Sequence, residues 1–275
     1  YEVTTDPHYW HQLPSAALRP FIDRYWGWDI PTMATLPMLM PGTGSECFFH
    51  YRQPPDLISG HRLPASYLVC PRQQTAQFLP SESLGFIAIR FKNGQLRHFT
   101  DRPFIELQDA MPPLRELWGA AANRLDEQLW AAPNQREQIL LIERFLLTQL
   151  NYHHQATAQK LDRLMEQIYY APNNRIETIA DATGWSHRHL ERNFKQAFAL
   201  TPKRFARLAR LHHTLRQIAL QPQQALLDIA LERGFSDQSH FIHDVQLLIG
   251  MKPLQLQQHL RETQHYYNLP SKKPD

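Results

Sequence analysis

The sequence predicts an α+β chain of two domains, a β-rich N-terminal half with trailing helices followed by an all-helical C-terminal half. Three observations carry this reading. Short aromatic and β-branched runs punctuated by Pro and Gly fill the first hundred residues. The apolar period turns helical from about residue 95. One segment of the C-terminal half is written twice.

The strand-like runs are residues 24–30 (RYWGWDI), 46–51, 66–70 and 85–91, separated by breakers such as Pro41-Gly42 and Pro54-Pro55. In the last run Ile87, Ile89 and Phe91 alternate with Phe86, Ala88 and Arg90, so one face can line an interior. Several short strands spaced in this way suggest a sandwich or small barrel. Residues 114–130 and 136–150 then read as two helices broken at Pro133. The second is apolar over a wide arc, with Ile139, Leu140, Ile142, Phe145, Leu146, Leu147 and Leu150. That arc fits a self-association seam, and equally a helix packed on the strand domain from both sides.

The reading places the first domain at residues 1–152, a polar linker at 153–159, a second domain at 160–262 and a disordered tail at 263–275. A helix from residue 160 to 170 opens the second domain. The repeat follows. Its first copy has Ile179-Ala180, three residues, Gly184-Trp185-Ser186, then Leu190, Phe194 and Pro202. Its second has Ile229-Ala230, three residues, Gly234-Phe235-Ser236, then Phe241, Val245 and Pro253. The offset is 50 residues through the Gly and 51 from Leu190/Phe241 onward, so the second copy holds one extra residue in its turn.

Each copy has the logic of a helix-turn-helix. Ile-Ala sits on the buried side of a short helix, and Gly takes the left-handed conformation that stops it. Trp185 or Phe235 plugs the corner, and Ser186, or Ser236/Asp237, caps the next helix. Leu190 and Phe194, or Phe241 and Val245, then lie four apart on one inward face. Between the copies, residues 202–220 form a helix begun by Thr201 as cap and Pro202 at the first position. It buries Phe205, Leu208, Leu211 and Leu215 and shows Lys203, Arg204, Arg207 and Arg210 on its other side.

Composition bounds the function. The chain has 275 residues, 43% apolar and 20% charged, which describes a soluble protein with a real core. No run of about eighteen apolar residues exists to cross a membrane. Tyr1-Glu2-Val3 lacks the basic and apolar regions of a secretion signal, and a residue or more is expected to be missing ahead of it. Cys47 and Cys70 form no CxxC pair, so a reduced cytoplasmic protein is expected in preference to a lone disulfide. Residues 1–155 carry 13 Lys+Arg against 15 Asp+Glu, net −2, whereas residues 156–275 carry 16 against 11, net +5. The positive side is the side of the repeat, as nucleic-acid binding requires.

The C-terminal region resembles the AraC/XylS family of bacterial transcription regulators. The family pattern Ile-Ala-x3-Gly-aromatic-x-Asp-x-Ser-x-Phe is met at Ile229, Ala230, Gly234, Phe235, Asp237, Ser239 and Phe241, and its later Gly-x-x-Pro at Gly250 and Pro253. Ser-x-x-x-Leu-x-Arg-x-Phe-Lys is met at Ser186, Leu190, Arg192, Phe194 and Lys195. The resemblance covers about a hundred residues in order. It implies seven helices, with two recognition helices entering successive major grooves about 34 Å apart. Residues 36–129 resemble the sensor-type N-terminal domain of one subgroup of that family, a cupin-like β-fold with helices. No ligand residues are carried over.

By matching positions, His187, Arg188, Glu191 and Arg192 are candidates for base contact in the first unit, and Gln238, Ser239 and His243 in the second. Arg suits guanine through two hydrogen bonds, and Glu191 can accept from cytosine N4. Ser186, Lys195, Lys203, Arg204 and Arg207 are the candidates for phosphate contact. Against each stands the plainer reading of a solvated surface charge.

The second unit departs from the family. Its usual Arg, aromatic and Lys are His243, Val245 and Gln246, no Lys or Arg occurs from 237 to 249, and Asp237 and Asp244 are acidic. The first unit is therefore expected to dominate affinity. Ala199 replaces a common Gly before Leu200-Thr201-Pro202 and is expected to alter that turn.

The implied protein is a cytoplasmic transcription regulator of the activator-rich AraC type, with a regulatory or dimerisation domain in front. Its expected partners are double-stranded DNA, then RNA polymerase, a small-molecule effector and a second copy of the chain, and no membrane. It is not expected to be an enzyme, and no catalytic set, metal or cofactor is expected. One rival is a metal-binding cupin-type protein using Cys47, His50 and His61, although no HxH or HExxH pairing occurs there. His187 and His189 form an HxH, but on a helix that spacing splits them onto different faces. The other rival is a regulator acting through protein contacts with reduced DNA binding, supported by the acidic second unit.

Overall fold

Strand alternation sorts the N-terminal half into two cores, one on each side of a single sheet. The computed structural model describes residues 8–31, 36–154 and 159–262, without the side chains of Ala182 and Thr183. Among these, five strands pair antiparallel: β1 (Tyr9–Gln12), β2 (Ile22–Ile30), β3 (Ser45–His50), β4 (Ser66–Val69) and β5 (Leu84–Phe91). Their order is β1-β2-β5-β3-β4. The register aligns Trp26, Ala88, Phe48 and Tyr67 across four strands, and Tyr25, Ile89, Cys47 and Leu68 beside them. Adjacent positions face opposite ways, so the first row lines one core and the second row the other. The four expected strand runs are present. The short β1 is an addition, its four residues being too few to show a period.

The second row packs against four helices: α1 (Phe104–Leu107), α2 (Arg115–Trp118), α3 (Ala120–Ala131) and α4 (Gln135–His153). The helix expected over 114–130 is interrupted at Gly119 and becomes α2 and α3. Asn134 caps α4 by accepting from the Glu137 N–H at 3.0 Å. On α4, Ile139, Ile142 and Leu146 are buried, while Leu140 and Leu147 are exposed, so this arc is packed from one side only. The first row is covered differently. In place of the second sheet of a sandwich or barrel, loops carrying Leu36, Leu39, Leu57 and Leu63 lie over it. They are held by isolated bridges, Leu39 to Ala76, Gly42 to Arg72 and Leu57 to Phe78.

The C-terminal half contributes seven described helices: α5 (Gln159–Tyr170), α6 (Ile176–Thr183), α7 (His187–Phe198), α8 (Pro202–Leu220), α9 (Leu226–Glu232), α10 (Gln238–Ile249) and α11 (Pro253–Glu262). The repeat is visible in these bounds. α6 and α9 start 50 residues apart, α7 and α10 start 51 apart, and the extra residue falls in the turn between α9 and α10. Leu190, Phe194, Phe205, Leu208, Phe241 and Val245 meet in one core. α4 runs through 153 into the expected linker, of which 155–158 lie outside the described residues. The tail at 263–275 and Tyr1-Glu2-Val3 lie outside them too.

Among the described residues, three clusters of contacts help to lock the halves together. Met38, from the loop layer, is buried in the C-terminal core, and the Thr75 hydroxyl lies 3.4 and 3.2 Å from the Leu248 and Ile249 carbonyls at the end of α10. At the end of α7, Phe198 packs on Gly94, where a Cβ would collide with its ring and φ is +70°. Arg97 lies 5.7 Å over the same ring. Ala199 follows at φ +60°, a left-handed geometry that costs a residue with a Cβ roughly 1 kcal/mol. Its methyl is buried in the N-terminal core, which offsets that strain. The third lock is the Asp162 carboxylate of α5. It accepts from Gln95 at 2.9 Å and from Arg97, and lies 3.3 Å from His98 Nε2. Burial works against its charge, but His98 and Arg97 outweigh that and hold its pKa below the usual range.

Burial of histidines sets the acid limit of this fold. It lowers the pKa of His50 to about 4 and of His212 to about 3, and lowers those of His213 and His259. The folded state holds these rings neutral, so the unfolded chain takes up protons first as pH drops below about 6.5. Stability is expected to fall from there downward, by about 1–2 kcal/mol per deeply buried ring at about pH 5. Asp162 adds its loss only below about pH 4. Thermal denaturation across pH checks this, and a melting temperature flat down to about pH 5 would contradict it.

Candidate nucleic-acid interface

Each helix-turn-helix places a capped helix with its inner face in the core and its outer face in solvent. α6 ends at Gly184, left-handed at φ +66°, and Ser186 then caps α7 by accepting from the His189 N–H at 3.3 Å. Leu190, Phe194 and Phe198 turn inward. Outward lie Ser186, His187, Arg188, Arg192 and Lys195, all exposed, while Glu191 is half-buried. The first unit thus gathers its candidates onto one accessible face, beginning at the helix N-terminus where the backbone dipole favours an anion.

His189, noted in the sequence only as half of an HxH, organises part of that face. Its ring packs edge-on against Trp185, 4.8 Å between centroids, and its Nδ1 lies 3.3 Å from Arg192 Nη2. Arg192 therefore starts from a supported position. The signal was legible as an i,i+3 spacing, although a His three residues before an Arg is too common to stand out. Lys160 Nζ sits 4.5 Å over the Trp185 ring, bringing a cation from α5 to the same corner. Trp185 and Phe235 pack on the core as corner plugs, Phe235 buried and Trp185 half-buried.

The second unit is built alike but charged differently. Asp237 caps α10 by accepting from the His240 N–H at 2.8 Å, and that bond leads in lowering its pKa. Gln238, Ser239, His243, Gln246 and Leu247 are exposed. Asp244 corrects the sequence reading. It is 3% exposed and faces α8, where Arg207 grips it with Nε at 3.2 Å and Nη2 at 2.7 Å, and Arg210 with Nη2 at 3.3 Å. Its burial disfavours charge, yet the hydrogen bonds and charges of Arg207, with Arg210 and His240, keep its pKa low. Asp244 therefore adds no acidity to the outer face.

The same pairing bears on Arg207, which the sequence offers as a phosphate contact: Asp244 engages its Nε and Nη2. Arg210 is shared between Asp244 and the Phe235 ring, 4.6 Å away. Of the α8 cations, Lys203 remains exposed and Arg204 is half-buried. The spacing of Arg207 along α8 could not reveal this, because its partner lies 37 residues on.

The candidates of the metal reading separate. β3 turns Cys47 toward the helix-side core and His50 toward the loop-side core, and His61 is exposed. Both cysteines are free and buried, with thiol pKa values pushed up by burial. No helix of the described residues is long and apolar enough to cross a membrane.

Comparison with known proteins places the C-terminal part. A family profile described as a helix-turn-helix domain matches residues 146–259. The HTH-type transcriptional activator RhaS of Citrobacter koseri is 31% identical over 142 residues, 49% of this chain and 49% of that protein. RhaS of Escherichia coli is 33% identical over 107 residues, 38% of this chain and 37% of that protein. An uncharacterized HTH-type regulator, YbfI of Bacillus subtilis, is 33% identical over 72 residues, 26% of each. The matches thus span a quarter to a half of the curated relatives' length. Among solved structures, ToxT of Vibrio cholerae aligns with TM-score 0.51 and 9% identity over 86% of this chain and 98% of its own, a likeness of fold.

The Asp244 cluster yields a test of its own. Removing one member of a buried ion pair strands the other, so Asp244→Ala is expected to destabilise the protein by about 3 kcal/mol. Urea denaturation would read it. A loss below about 1 kcal/mol would mean that water already screens the cluster.

Proposed function

We propose, on the premise that residues 146–259 belong to the AraC-type helix-turn-helix family, that this chain is a sequence-specific DNA-binding transcription regulator whose α7 is the principal reader. The observation that carries the proposal is the repeated pair of capped helices with exposed outer faces, of which only α7 carries cations. Arg188, Glu191 and Arg192 are assigned to base edges and His187 to the adjoining first turn. Lys195, Lys203 and Arg204 are assigned to phosphates, with Ser186 fixing the helix N-terminus. Gln238, Ser239 and His243 read a second, weaker half-site by hydrogen bonds. Arg207 is assigned to the fold.

The division at 1–152, 153–159 and 160–262 remains our reading, supported by the separate cores on either side of it. The N-terminal half acts as the regulatory part because it grips both recognition helices at their C-terminal ends, through Thr75 on α10 and through Gly94 and Arg97 on α7. A shift there re-aims both helices while their N-terminal turns stay open to DNA. The exposed Leu140 and Leu147, two turns apart on α4, suit contact with a second copy. RNA polymerase is the partner that an activator requires, and the bacterial cytoplasm is where such a regulator acts. The family is not an enzyme class, and the opposed faces of Cys47 and His50 leave the metal reading without a shared site.

Selection from a random DNA pool, followed by binding across a salt series, tests the assignment. Arg192→Ala is expected to cost about 1–3 kcal/mol and to relax one base position. Lys195→Ala should weaken all sequences alike and reduce the salt slope by about one. Changes at His243 should cost less than either. Failure of any sequence to enrich, with residual binding gone near physiological salt, would sink the assignment of α7 as a reader.

A further inference from the structure

One histidine recurs in the repeat where the corner plug meets the recognition helix. His189 and His240 lie 51 residues apart, and each ring stands edge-on to its own plug, Trp185 at 4.8 Å and Phe235 at 5.3 Å between centroids. Both histidines are half-buried. What their nitrogens meet differs. His240 Nδ1 accepts from the Ser236 N–H at 3.3 Å and lies 3.2 Å from its hydroxyl, so it braces the turn. His189 Nδ1 lies 3.3 Å from Nη2 of Arg192, a candidate base reader. The second copy has His243 at the position of Arg192, so only the first copy couples its recurrent histidine to a cation.

The contact fixes the state of the ring. A guanidinium donates and never accepts, so His189 Nδ1 must offer its lone pair while Nε2 carries the proton. A protonated ring would turn an N–H and a positive charge toward a group that already has both. The backbone of the residue is anchored on each side. Its N–H donates to the Ser186 hydroxyl at 3.3 Å, and its carbonyl accepts from Asn193 Nδ2 at 2.7 Å. Trp185 is held in turn by packing on the core and by Lys160 Nζ, 4.5 Å over its ring.

The charged surroundings leave Arg192 as the ion that this ring meets. Lys160 of α5 is directed at Trp185, and Glu177 of α6 lies 4.0 Å from His187 Nε2. On α7 itself, Arg188 and Glu191 stand one and two residues away, spacings that do not face His189. An exposed arginine must be ordered before it can read a base, and a restraint already present in the free protein lowers that cost. We propose that His189 is a positioning residue for base reading: its neutral ring restrains Arg192 in the reading pose, and protonation releases it. Discrimination at one base then weakens in acid while attraction to phosphates is kept. This inference rests on α7 being the reader, and it names the residue that sets its precision.

The full chain is first given a DNA site by selection from a random pool at about pH 7.5, and Arg192→Ala marks the base position that Arg192 discriminates. The ratio of Kd values for wrong and right base at that position is then measured at about pH 7.5 and about pH 5.5 at constant salt, a range over which a histidine ordinarily changes charge. Wild type is expected to lose roughly threefold to tenfold of the ratio at the lower pH. His189→Phe keeps an aromatic edge for Trp185 but has no acceptor, and should show the lowered ratio at both. His189→Asn keeps an acceptor oxygen on Cγ and takes up no proton, and should retain the ratio at both.

A wild-type ratio that does not change with pH overturns the positioning role. So does the same acid loss in His189→Asn, which would trace the effect to other histidines or to stability. A His189→Phe loss spread evenly over all base positions marks a merely structural residue and overturns it as well. Should His189→Phe not fold, the pH comparison of wild type with His189→Asn decides alone. Failure of any sequence to enrich, or Arg192→Ala discriminating like wild type at every position, overturns the reader assignment itself. A base position lost with Arg192 and untouched by either His189 variant overturns only the positioning role.

Discussion

The carboxylate of Asp162 is the point on which the arrangement of the two halves depends. It belongs to the first helix of the helix-turn-helix half, yet it is surrounded by Gln95, Arg97 and His98 from the turn that follows the sheet. A partly buried carboxylate with three donors outweighs the cost of its own desolvation, whereas one deprived of them would not. Around it, Phe198 can approach Gly94 closely and the Ala199 methyl can enter the N-terminal core. Arg97 joins them, since it bonds to Asp162 and lies over the Phe198 ring. The packing of the halves is thus set by a polar centre with an apolar surround, an arrangement with few alternative registers.

A second buried carboxylate divides the labour between the two helix-turn-helix units. Asp244 draws Arg207 and Arg210 of the connecting helix inward and ties α10 to α8. Among the described residues of the first unit no comparable pair forms, and Arg188, Arg192 and Lys195 stay on the surface. One repeat therefore spends charge on holding a helix in place, and the other presents charge to solvent. The two copies share a backbone plan and differ in where their cations go.

Much of this was legible in the sequence, for physical reasons that can be named. The repeat, its caps and its one-residue offset follow from short-range rules, since a helix stop, a corner plug and a cap lie within a few residues. The four longer strands declared themselves by aromatic and β-branched runs. What stayed hidden was long-range. Asp244 read as a surface acid because its position on the helix, taken alone, does not say that arginines 34 and 37 residues earlier await it. The loop layer over the sheet could not be told from a second sheet, since the residues that cover a core are as apolar as those that pair across it. His189 was visible only as half of an HxH, because its effect on Arg192 depends on the ring finding Trp185.

The same locality explains how an effector could act at all. The N-terminal turns of α7 and α10 are fixed by their own caps, Ser186 and Asp237. Their C-terminal ends are different, leaning on the N-terminal half through Gly94 and Arg97 at α7 and through Thr75 at α10. A helix capped at one end and propped at the other pivots about the capped end when the prop moves. The reading residues, being near the pivot, change direction more than position. A small displacement of the loop layer would then alter the fit to DNA while leaving each recognition helix folded, so regulation requires no unfolding of the domain it controls.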